Sequence, residues 1–100
     1  MKVGLMGFGR AGRSVARVLL ESKETSLQWV IRRSSVLEHR SVPEFLGVQS
    51  ENPGLIYRKD EFAADKLLEK HPVEFIVDFS SETGLDYYAE SAAKHGTTVI

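Results

Sequence analysis

Gly7-Phe8-Gly9-Arg10-Ala11-Gly12 is a G-x-G-x-x-G turn set between the apolar run Val3-Gly4-Leu5-Met6 and an amphipathic stretch from Arg13 to Leu20. The spacing restricts the fold tightly, because it demands a strand before the turn, a helix after it, and close contact between the two. Gly7 lets the chain turn sharply off the strand, Gly9 lets the backbone approach a pyrophosphate, and Gly12 lets the helix pack against the sheet. The first amides of the helix and the positive end of its dipole then form a seat for a phosphate. Both flanks carry the required pattern, so the turn is expected to grip a dinucleotide.

The rest of the chain alternates strand and helix. Lys2 to Met6 predicts a first strand, apolar on both faces as in a covered parallel sheet. A helix is expected from about Ala11 to Ser22, with Val15, Val18, Leu19 and Ser22 inward and Arg13, Arg17 and Glu21 as a solvated ladder. Leu27 to Ile31 predicts a second strand, ending in Arg32-Arg33-Ser34-Ser35. Residues 34 to 53 show no sustained period apart from a short turn of helix after Pro43, and Leu55 to Arg58 predicts a short third strand. A further helix opens at Asp60 or Glu61 and runs through Phe62, Ala63, Leu67 and Leu68 to His71, where Pro72 stops it. Val73 to Phe79 predicts the clearest strand. Thr83-Gly84-Leu85-Asp86 fits a helix cap, with Leu85, Tyr88, Ala89, Ala92 and Ala93 on one face, Gly96 as the stop, and a last strand beginning at Thr97.

These elements predict an α/β fold, a Rossmann-like doubly wound parallel sheet, with residues 1–100 as a single dinucleotide-binding domain. In that strand order the first and fourth strands are neighbours and ligands bind outside their carboxyl ends. The Gly7 turn and Asp78-Phe79-Ser80-Ser81 are therefore expected to line one crevice. At 100 residues the chain is small for an enzyme acting on a dinucleotide and a second substrate, so it is expected to be part of a longer protein.

The end of the second strand bears on the choice of dinucleotide. An NAD site places an acidic residue there for the ribose hydroxyls, whereas this chain has Arg32 and Arg33. A guanidinium binds phosphate through a planar fork of donors, so NADP(H) is expected in preference to NAD(H), with NAD(H) still possible. Arg10 is placed to approach the same phosphate, and Ser34 or Ser35 to add hydrogen bonds. The competing structural readings are a strand-to-helix turn without ligand, two solvated arginines, and serines at 80 and 81 that cap a helix.

Composition excludes several classes. A net charge of −1 shows no bias toward nucleic acid or an anionic membrane, and the absence of cysteine excludes a disulfide framework or thiolate metal site. His39, His71 and His95 share no metal-ligand spacing and are expected at the surface or at helix ends. There is no signal-peptide pattern and no run of about 20 apolar residues, so a cytoplasmic protein is expected. Trp29 and Tyr87-Tyr88 are expected to pack in or near the core.

The stretch Lys2 to Arg13, with Val77-Asp78-Phe79-Ser80, Glu82 and His95-Gly96-Thr97-Thr98-Val99-Ile100, resembles the amino-terminal half of dihydrodipicolinate reductase. The likeness runs in order over nearly the whole chain, apart from residues 36 to 54. It implies a Rossmann-like domain for NADPH or NADH, joined to a second domain that binds the cyclic substrate and forms the oligomer. It also implies hydride delivery from C4 of the nicotinamide on the route to diaminopimelate and lysine. Carried onto this sequence, Gly7 to Gly12 would hold the pyrophosphate, Arg32 and Arg33 the adenosine side, and Asp78, Phe79 and Ser80 the nicotinamide side. Arg32-Arg33-Ser34 also resembles the NADP-specific turn of diaminopimelate dehydrogenase, and a non-catalytic nucleotide-sensing domain would use the same fold.

Overall fold

The computed structural model describes residues 1–32, 41–58, 64–79 and 84–100, with side chains in all of these except 84–87. Along the chain run β1 (Lys2–Met6), α1 (Arg10–Glu21), β2 (Ser26–Arg32), α2 (Val42–Leu46), β3 (Leu55–Arg58), α3 (Ala64–Lys70), β4 (Phe75–Asp78), α4 (Gly84–His95) and β5 (Thr98–Val99). The five strands form one sheet in the order β3-β2-β1-β4-β5, and every pairing is parallel. This is the expected doubly wound arrangement. The order reverses at β1, where Met6 is in register with Ile31 of β2 on one side and Asp78 of β4 on the other.

The helices cover both faces. Leu5, Leu27 and Val30 pack with Ala16 of α1, Val42 of α2 and Phe8. Met6, Trp29, Ile31 and Ile76 pack on the other face with Leu67 and Leu68 of α3 and Tyr88 and Ala92 of α4. An irregularity in β2 decides which side chain goes where. Val3 pairs with Leu27 but Gly4 pairs with Trp29, so Gln28 is an extra residue and strand parity flips across it. The Trp29 indole thereby lies over Gly4, where a Cβ would meet its ring at 2.4 Å, and its Nε1 donates to the His71 carbonyl at 3.1 Å.

Two helix faces differ from expectation. In α1 the buried residues are Gly12 and Ala16, and Val18 is 63% exposed. Val15 and Leu19 pack against the core as expected, and Val18 turns outward because Gly12 sits so close to Gly7 that a Cβ would come within 2.2 Å of the Gly7 carbonyl oxygen. That contact sets the phase, and hydrophobicity follows it. In α4, Tyr88 and Ala92 are buried, whereas Ala89 and Ala93 face outward. The helix ends as expected: Gly96 adopts φ 70, and the amides of Gly96 and Thr97 bond back to the carbonyls of Ala93 and Ala92.

The short helix expected near Pro43 is α2. Ser41 caps it, its Oγ accepting from the Glu44 amide at 3.3 Å, and Pro43 occupies the first turn. The expected start of the third helix at residues 60–63 and the Thr83 cap lie outside the described residues. Among the described residues no helix is long and apolar enough to cross a membrane.

Candidate functional site

The glycine turn sits at the carboxyl end of β1, where the strand order reverses. Gly7 adopts φ 99, a left-handed conformation that a side chain would strain, and its amide donates to the Ile31 carbonyl at 2.9 Å. Phe8 turns inward and is 7% exposed. Gly9 is the cap residue of α1, and a Cβ there would meet nothing within 4 Å, so the backbone faces open space. The amides of Arg10, Ala11 and Gly12 precede the first intrahelical bond, from Arg13 N–H to the Gly9 carbonyl at 2.9 Å. The first turn carries no acidic side chain. Exposed glycine backbone, leading amides and the positive helix end together favour an anion.

Beside the turn is a cleft of about 530 Å³ lined by Gly9, Arg10, Arg13, Ser14, Arg17 and Leu46. Arg10 is thus one of the residues that line this cleft. Arg32 ends β2 one residue beyond Ile31, the partner of Met6, and so lies next to the turn. Burial lowers the proton affinity of Arg32, and the nearby positive charge of Arg13 lowers it further. Arg33 and Ser34 lie outside the described residues.

Arg13, assigned above to the solvated ladder, is exposed as expected and also lines the cleft. Its guanidinium lies 5.4 Å from the Phe8 ring centroid and 4.7 Å from that of Phe45. Its place one turn into the helix from Gly9 was a usable signal; the position of Phe45 and Leu46, brought over α1 by α2, was not.

At the strand end beside the turn, Asp78 closes β4 and Phe79 follows it, and neither is among the residues that line the cleft. The Phe79 amide donates to the Met6 carbonyl at 2.7 Å, which fastens this strand end to β1, and its ring is 49% exposed. The Asp78 carboxylate accepts from the Tyr88 hydroxyl at 2.5 Å, a partner that sequence periodicity had placed simply in the core. Ser80 lies outside the described residues. Burial, with the hydrogen bond and charge of Asp78, raises the Tyr88 pKa. A phenol that is harder to ionise when folded contributes fully below its ordinary pKa of about 10 and loses that contribution as pH rises through the folded value. Melting temperature is therefore expected to fall above about pH 10, and Tyr88→Phe to lose about 1–2 kcal/mol at neutral pH while flattening that alkaline fall.

The described histidines serve structure. His71 Nε2 lies 3.3 Å from the Tyr57 hydroxyl. His95, at the end of α4, lies 3.0 Å from Asp65 of α3. Among the described residues no cluster could hold a metal ion.

Sheet order and turn define a Rossmann-like domain, and the family match makes it the dinucleotide-binding domain of an oxidoreductase. The sequence matches the family model described as "Dihydrodipicolinate reductase, N-terminus" over residues 1–100. The chain belongs to that family, as the resemblance implied, and the match includes residues 36 to 54. No curated protein matches the sequence. Among solved structures, the chain is similar to apo histidine-tagged saccharopine dehydrogenase (L-Glu forming) from Saccharomyces cerevisiae, with TM-score 0.68 and 18% identity over 98% of this chain and 20% of that one. It is also similar to apo scyllo-inositol dehydrogenase from Lactobacillus casei, with TM-score 0.65 and 23% identity over 99% of this chain and 27% of that one. The chain thus spans about a fifth to a quarter of those proteins, and the likeness establishes the shared fold.

Proposed function

We propose that residues 1–100 are the cofactor-binding domain of a reductase that uses NADP(H) in preference to NAD(H). The observation that carries this reading is the open backbone of Gly9 at the amino end of α1, with Arg32 at the adjoining strand end. In this reading the turn from Gly7 through Phe8, Gly9, Arg10 and Ala11 to Gly12 holds the pyrophosphate. Arg32, Arg33 and Ser34 hold the adenosine side, and Asp78, Phe79 and Ser80 the nicotinamide side. The open space at Gly9 and the absence of acid in the first turn of α1 fit such a ligand.

When bound, the dinucleotide supplies the hydride, and the work of this chain is to bind and orient it. The family points to a cyclic unsaturated dicarboxylate as acceptor, on the route to diaminopimelate and lysine, in the cytoplasm. We place the substrate site and the oligomer contacts in a second domain beyond these residues, so residues 1–100 bind nucleotide without turnover.

Titration of the chain with NADPH and NADH at fixed salt tests the reading. NADPH should bind more tightly, and Arg32→Ala should weaken NADPH by about tenfold or more while changing NADH little, because a charge-assisted contact is worth roughly 1.5–3 kcal/mol. Equal affinities in the unmodified chain would contradict the NADP(H) preference, and no binding of either would contradict the cofactor assignment.

A further inference from the structure

Three arginines of α1 sit where the helix itself opposes them. Arg10 and Arg13 lie at the amino end of α1, the positive end of the helix dipole, which disfavours a cation. Arg13 and Arg17 are four residues apart, a spacing at which like charges destabilise a helix. Among the described residues no carboxylate forms an ion pair with any of the three, and the first turn of α1 carries no acidic side chain. In a chain of net charge −1 this is a local concentration of positive charge. All three line one cleft of about 530 Å³, together with the exposed backbone of Gly9, Ser14 and Leu46 of α2. An anion in that cleft offsets both the mutual repulsion and the dipole.

Arg13 is set apart by being fastened. Phe8 of the glycine turn and Phe45 of α2 meet edge to face, with centroids 5.3 Å apart, and the Arg13 guanidinium lies 5.4 Å and 4.7 Å from them. These contacts attract the cation to one place on the cleft wall, so little freedom remains to be lost when a ligand arrives. A phosphomonoester dianion matches a guanidinium fork in charge and geometry. The functional reading seats the pyrophosphate at Gly9, and in NADPH one ribose separates that group from the 2′-phosphate. Along the helix axis Arg13 is about 6 Å from Gly9 and Arg17 about 12 Å. We propose that the cleft between α1 and α2 is the seat of the 2′-phosphate that NADPH carries and NADH lacks, with Arg13 as its specificity-determining residue. The proposal rests on the functional reading above and adds to it a residue whose spacing alone places it among solvated charges.

The test is titration of the unmodified chain, Arg13→Gln and Arg17→Gln with NADPH and NADH at fixed salt, with a thermal melt of each. The two variants remove the same charge from the same cleft, so a general cationic field would weaken equally in both, whereas a seat at Arg13 separates them. Arg13→Gln should weaken NADPH about tenfold and leave NADH within about twofold, and Arg17→Gln should weaken NADPH by no more than about twofold. If Arg13→Gln does not fold, Arg13→Lys, which keeps the charge and loses the planar fork, decides the matter by weakening NADPH about threefold with NADH unchanged. With an unmodified chain that prefers NADPH, equal NADPH losses in the position 13 and position 17 variants would overturn the proposal. So would equal losses of NADPH and NADH, or no loss of NADPH, in the position 13 variant. An unmodified chain that binds neither nucleotide, or binds both equally, would overturn the functional reading, and this proposal with it.

Discussion

Gly12→Ala is expected to lower the melting temperature by roughly 10 °C or more, whereas Gly9→Ala, three residues earlier, should leave it nearly unchanged and weaken nucleotide binding by at least about tenfold. The two glycines differ in what surrounds them. A Cβ at Gly12 would come within 2.2 Å of the Gly7 carbonyl oxygen and 2.9 Å of its carbon. Neither is the movable tip of a side chain, so either α1 lifts from β1 or the turn distorts. Overpacking of this kind costs about 2–3 kcal/mol, and each kcal/mol moves the midpoint of a domain this small by about 4–8 °C. At Gly9 a Cβ would meet nothing within 4 Å, and the backbone there is extended, so the folded state loses little beyond a few tenths of a kcal/mol of cap preference. The added methyl would instead occupy the space through which a pyrophosphate approaches the α1 amides. A loss of at least about tenfold in dinucleotide affinity follows from displacing charge-assisted hydrogen bonds. Paired thermal melts and nucleotide titrations of the two variants check the separation.

The second large effect is expected at Trp29. This side chain is 1% exposed, anchors the α3–α4 face of the sheet, and donates to the His71 carbonyl. Trp29→Ala should cost about 3–5 kcal/mol, a large part of the 5–15 kcal/mol that holds an ordinary domain together. Gly4→Ala should also destabilise, because its Cβ would strike the indole ring at 2.4 Å. The two losses should not add: with the indole gone, the methyl at position 4 enters vacated space, and the double variant should be more stable than the sum of single effects implies. Urea unfolding of the four proteins in the cycle measures this coupling.

The parts of the fold written in local chemistry were legible in the sequence. Lys2–Met6 and Leu55–Arg58 appear as strands at their expected limits, because a short apolar run bounded by turn residues leaves few alternatives. Gly96 ends α4 where a left-handed residue was required. The glycine turn and the Asp78-Phe79 strand end lie on the two neighbouring strands that the doubly wound order brings together.

What was not legible depends on contacts between distant residues. The most deeply buried residues of α1 are Gly12 and Ala16, which carry almost no hydrophobic signal and are buried because the helix comes down onto Gly7, with Val15, Leu19 and Leu20 packed beside them. A period-based reading placed Val15 and Leu19 correctly against the core but added Val18, which is exposed. The extra residue at Gln28, which turns Trp29 and Leu27 to opposite sides of the sheet, leaves no trace in an alternation that looks continuous. Arg13 belongs by spacing to a solvated ladder and reaches the cleft wall because α2 brings Phe45 against it. The bond from Tyr88 to Asp78 similarly joins a helix face to a strand end.

The most direct test of the account is a backbone amide NMR titration of the chain with NADPH. The amides of Gly9, Arg10, Ala11 and Gly12 should show the largest shifts, with further shifts at Arg32 and Phe79, while Thr98 and Val99 of β5 and the amides of α3 stay in place. Shifts confined to α3, α4 and β5, or no shifts at all, would contradict the claim that the glycine turn and the amino end of α1 hold the dinucleotide.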